Sequence, residues 1–154
     1  MLQVVLAGIH LIALGLGLAA VINRGTALRG TFDAVSLGRV FVADALWGVS
    51  AILWIGTGLW RYLGETEKSI AYYNGNYFFI AKMTLLLIVI ALEVWPAITL
   101  VRWRLALRAG ETPSAVAEPS VARRIALISH VQGLVIVIMV FAATAMARGH
   151  GLVS

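Results

Sequence analysis

Four long apolar runs constrain this chain more than any other feature. They extend from about Val4 to Ile22, Val40 to Trp60, Phe78 to Val101 and Ile125 to Ala147. A helix needs about 20 apolar residues to cross the hydrocarbon core of a bilayer, because each residue advances it by about 1.5 Å. All four runs reach that length. Strands are excluded there, since open sheet edges leave backbone groups unsatisfied in lipid and the runs lack the two-residue alternation of a barrel wall. The expected fold is therefore all-α: one transmembrane domain over residues 1–154, four helices packed up-down-up-down.

Charge is too scarce for a soluble surface. Of 154 residues, 61% are hydrophobic and 12% charged, and a small soluble domain needs roughly twice that share of charge. With no cysteine, disulfides, thiolate metal sites and covalent attachment of a c-type haem are excluded. The formal net charge of +5 does not point to nucleic acid, because the basic residues sit in short loops between apolar runs. Loops one and three carry Arg24, Arg29, Arg39, Arg102, Arg104, Arg108, Arg123 and Arg124, while the middle loop has only Arg61 and Lys68 beside Glu65 and Glu67. The positive-inside rule then places loops one and three in the cytoplasm and both termini on the extracytoplasmic face. That predicts a multi-pass protein of the bacterial inner (cell) membrane, its first helix retained because no Lys or Arg precedes it. Residues 110–119, GETPSAVAEP, read as a mobile linker.

Ionisable residues at bilayer depth cost about 2.5–3.5 kcal/mol each on insertion scales, so each needs a reason. His10, Asp44, Lys82, Glu93 and His130 fall inside the spans. Counting helical rise sorts them into two layers. His10 and Lys82 lie in the extracytoplasmic half; Asp44, Glu93 and His130 form a buried polar cluster in the other. Lys82 and Glu93 are eleven residues apart, three turns, and share one helix face. An imidazole and an amine in a bundle core suit ligation of haem b, with His10 on the metal and Lys82 as second ligand or propionate partner. The competing account has His10 bonded to a carbonyl while Lys82 snorkels to water. A bis-histidine haem using His130 is disfavoured, because the two imidazoles differ in depth by roughly 13 Å. The second layer admits proton or cation handling, or a charge-compensated structural cluster.

The segments LAGIHLIALG, AYYNGNYFFIAKMTLLL and VRWRLALRAG resemble a bacterial family of predicted four-helix membrane proteins of unknown function. That family is in turn distantly similar to CopD-like copper-resistance membrane domains and to the HemJ type of protoporphyrinogen IX oxidase. The resemblance implies that His10 and Lys82 occupy the places of the HemJ-type first-helix histidine and third-helix lysine, which are associated with b-type haem. The tryptophan that follows the histidine in HemJ-like chains is missing here. Three roles are therefore open: a haem or porphyrin protein acting in porphyrin oxidation or electron transfer, an accessory subunit of a larger membrane complex or homo-oligomer, and a conducting element using Asp44, Glu93 and His130. Lipid is the expected partner in all three.

Overall fold

The computed structural model describes residues 1–30 and 32–152. It is all-helical, with no strand among the described residues. Six helices follow in order: α1 (Leu2–Ala27), α2 (Ala34–Leu63), α3 (Ile70–Asn74), α4 (Tyr77–Arg108), α5 (Pro113–Val116) and α6 (Pro119–Ala147). Helices α1, α2, α4 and α6 are each long and apolar enough to cross a membrane.

Each long helix outruns its apolar run, because capping and packing rather than hydropathy decide where it ends. Asp33 caps α2 reciprocally: its carboxylate accepts the Ser36 N–H at 2.7 Å, and Ser36 Oγ accepts the Asp33 N–H at 3.0 Å. This satisfies two orphan donors of the first turn, and the hydrogen bonds to Ser36 hold the Asp33 carboxyl below its ordinary range. Asn76, fully buried, caps α4 by accepting the N–H groups of Phe78 and Phe79. Its amide also donates to the His150 carbonyl at 2.9 Å, while the Tyr77 N–H donates to Gly151 at 2.9 Å. Gly151 takes a positive φ of 84°, and a Cβ there would sit 2.6 Å from the Phe78 ring. The chain after α6 is thereby stapled to the start of α4, and Gln3 on α1 bonds the Thr66 carbonyl of the middle loop. Both described chain ends and the middle loop thus share one end of the bundle.

Helix α1 packs along α2 and α6, and α6 packs along α4, whereas the backbones of α2 and α4 stay apart and meet through long side chains, Arg104 donating to the Phe41 carbonyl at 3.2 Å and Tyr62 stacking on Phe79. An open seam therefore runs between α2 and α4. Two apolar clusters fill the interior. One, at the basic end, joins Leu28, Leu37, Leu100, Trp103, Ala117 and Ile125. The other, mid-bundle, joins Ala13, Val21, Trp47, Trp54, Val89, Ile136 and Met139. Ala117 belongs to the first, so the stretch expected as a mobile linker instead forms α5 and turns a buried residue inward. Its apolar residues have a core within reach, which overrides the turn-forming composition.

Close approach of α1 and α2 depends on Gly17. A Cβ there would lie 3.2 Å from the Trp47 ring and 3.3 Å from Ser50 Cβ, whereas one on Gly15 would meet nothing within 4 Å. Gly17→Val is expected to lower stability by about 1–3 kcal/mol through overpacking. Gly15→Ala should stay within about 0.5 kcal/mol of the parent. Thermal unfolding in mild detergent compares the two.

Candidate cofactor site and a buried charge cluster

Near the end that holds the termini, a cavity of about 430 Å³ is lined by His10, Trp54, Arg61, Tyr72, Tyr73, Lys82 and Met139, among others. A smaller one of about 100 Å³ also borders His10, Trp54, Lys82 and Met139. The imidazole and the amine expected to act together therefore face shared space. His10 is buried, at 7% exposure, because Leu6, His10, Ala13 and Gly17 form the three-and-four repeat that α1 turns inward. Its ring lies so close to α2 that a Cβ on Gly58 would come within 3.0 Å of it.

The tautomer of His10 follows from its neighbour. Thr57 Oγ1 is 2.6 Å from the Leu53 carbonyl and 3.0 Å from His10 Nδ1. A hydroxyl has one proton, and a carbonyl cannot supply one, so the Thr57 proton goes to Leu53. Nδ1 must then be the donor to Thr57, which leaves the lone pair on Nε2. Lys82 forms no ion pair among the described residues. Arg61 reaches Glu67 at 2.5 Å through Nη2 and keeps Nε buried without a hydrogen-bond partner. Around the mouth, burial pushes the Tyr73 phenol above its ordinary range, so it stays protonated.

Two features bear on whether these groups fit a haem. The cavity falls in the 300–1,000 Å³ range of small-molecule sites. One imidazole with a directed lone pair suffices for an iron already held by a macrocycle, whereas no group of three His, Asp or Glu able to hold a bare ion exists among the described residues.

The second layer is organised differently from the sequence expectation. Its centre is Arg24, which lies within α1 rather than in the first loop and is 0% exposed. All five guanidinium N–H groups are used. Nε donates to Ser129 Oγ at 3.0 Å, Nη1 to Asp44 at 3.0 Å and to Glu93 at 2.6 Å, and Nη2 to Glu93 at 2.8 Å and to Gln132 at 3.0 Å. Gln132 donates in turn to Glu93 at 2.9 Å. Arg104 approaches the other Asp44 oxygen at 3.6 Å, so two cations face two carboxylates.

Asp44 and Glu93 are thus brought together as expected, but His130 is not with them. Its Nδ1 is bonded to the Ala126 carbonyl at 2.6 Å, and its ring rests against Gly25. The buried stripe of α6 runs Ile125, Ala126, Ser129, Gln132, Gly133, Ile136, and position 130 lies about 100° around the helix from 129. The same periodicity could have found Arg24, which stands fourteen residues, four turns, beyond His10. Its proximity to the loop hid it. Between the two polar sites, along about 16 Å of α4, lies the mid-bundle apolar cluster, and no hydrogen bond among the described residues joins them.

Removing one partner from a buried, saturated ion pair strands the remaining charge. Arg24→Met is expected to cost about 3–5 kcal/mol and to leave little folded protein in a detergent thermal melt. Neutralising the carboxylates as well, in Arg24→Met/Asp44→Asn/Glu93→Gln, should restore most of that loss. A triple variant no better than Arg24→Met would refute the charge-compensation account.

Neither curated proteins nor solved structures yield a match to this chain. One family model does match, over residues 2–151. Spanning almost the whole sequence, that match makes the chain a member of the family described as predicted membrane protein (DUF2214).

Proposed function

We propose that the protein binds haem b, or a related porphyrin, in the cavity bordered by His10 and Lys82, and serves porphyrin oxidation or electron transfer. The observation that carries this reading is the shared cavity: a buried imidazole whose Nδ1 bonds Thr57, beside an intramembrane lysine that forms no ion pair among the described residues. An ionisable group at that depth is a functional candidate by default. On the resemblance read from the sequence, these positions would correspond to the histidine and lysine of HemJ-type proteins. With the basic loops in the cytoplasm, the cavity lies in the extracytoplasmic half of the bacterial inner membrane.

In this reading each residue has a defined task. His10 Nε2 would hold the iron, with Thr57 orienting the ring by accepting from Nδ1. Lys82 would serve as a second ligand or neutralise a propionate. Arg61, paired with Glu67, lines the same cavity. Trp54 and Met139 wall off water. A haem held there would supply one-electron exchange with a membrane partner.

A second reading, a subunit of a larger membrane complex, draws on the seam between α2 and α4. Asp44 and Glu93 stay 16% and 22% exposed as side chains and border a cleft of about 330 Å³ there, which a neighbouring helix could cover. A chain that is strictly monomeric by native mass spectrometry would remove it.

Absorption of the purified protein from haem-replete cells tests the first reading. A Soret band is expected, absent in His10→Ala, with haem affinity in Thr57→Val weakened roughly tenfold. Conversion from a six- to a five-coordinate spectrum in Lys82→Met would assign the amine to iron, and an unchanged spectrum would assign it to a propionate. A colourless preparation that takes up no added haemin would overturn the proposal.

A further inference from the structure

At the opposite, basic end of the bundle, a cleft of about 470 Å³ lies between the end of α1 and the start of α6. It is lined by Leu28, Arg29, Gly30, Phe32, Pro119, Arg123, Ala126 and Leu127. Its two arginines are exposed and form no ion pair among the described residues. This sets them apart from Arg24, Arg61 and Arg104, each of which faces a carboxylate. No acidic residue lines the cleft. Two like charges therefore border one space.

Pro119 opens α6 at the edge of the cleft, and the Glu118 carboxylate before it accepts the Ser120 hydroxyl instead of capping the helix. The rest of the lining is apolar. Leu127, one turn beyond Arg123, is 63% exposed. A single occupant answers both halves: a phosphate between the guanidiniums, and hydrocarbon along Leu127 and Phe32.

We infer that this cleft is a binding site for the headgroup of an anionic phospholipid, gripped by Arg29 and Arg123 and seated on Leu28, Phe32, Ala126 and Leu127. Arginine suits the role because its planar fork binds phosphate oxygens in pairs. Free phosphate would gain the charge contacts but not the apolar ones. A zwitterionic lipid brings its own cation into an already positive cleft. The site is independent of the cavity around His10, so neither reading depends on the other.

The full chain in mild detergent, mixed with equal amounts of dioleoyl phosphatidylglycerol and dioleoyl phosphatidylcholine, tests this by native mass spectrometry. The glycerol lipid should be retained roughly tenfold over the choline lipid. Arg29→Gln/Arg123→Gln should abolish that preference. Arg102→Gln/Arg108→Gln, which removes the same charge elsewhere on the basic end, should keep it, and Arg29→Lys/Arg123→Lys should recover it in part. Equal retention of both lipids by the parent protein overturns the proposal without recourse to any variant. So does an equal loss in both glutamine pairs, which would mean a diffuse surface effect. Displacement of the glycerol lipid by millimolar inorganic phosphate would assign the cleft to free phosphate instead.

Discussion

One guanidinium ties the four long helices together. Arg24 of α1 spends its five donors on Asp44 of α2, Glu93 of α4, and Ser129 and Gln132 of α6. Apolar packing alone gives weak direction inside a membrane, because lipid tails are as apolar as the side chains they replace. A saturated set of hydrogen bonds has direction. It specifies which helix faces meet and at what height, and any slip of one helix by a single turn would leave charges unpaired. Helices α2 and α4, whose backbones stay apart, are joined through this residue and through Arg104, which donates to the Phe41 carbonyl and approaches Asp44.

With that end fixed, the other end of the bundle is free to hold a cavity. The mid-bundle cluster of Trp47, Trp54, Val89, Ile136 and Met139 separates the two polar regions, so each has its own surroundings. No donor of Arg24 is spare, although Nε of the neighbouring Arg104 is buried without a hydrogen-bond partner among the described residues. Around the His10 cavity, the Lys82 amine forms no ion pair among the described residues. Groups in excess of what the fold consumes are where a ligand gains its interactions. An imidazole and an amine bordering one cavity, rather than the presence of charge, mark the candidate functional site.

Much of this could be read along the chain. His10 and Lys82 were legible because each stands alone in an apolar run and helical rise gives its depth. Asp44 and Glu93 were legible for the same reason. Arg24 was not, because a basic residue just past an apolar run looks like a topology signal until the helix is known to continue through it. Ser129 and Gln132 were hidden by being neutral, and His130 attracted attention by being ionisable although its face of α6 points away from the carboxylates.

The sequence by itself determined the architecture: apolar runs of membrane-spanning length with few charges have no stable alternative to helices, since every backbone group in lipid must be satisfied within the chain. It also determined the depth of each polar residue, which is linear in residue number. Tertiary structure decided which polar residues meet. That depends on rotation about each helix axis, where a shift of one residue turns a side chain by about 100°. Partners such as Arg24 and Glu93, 69 positions apart, become neighbours only when all four rotations are set together.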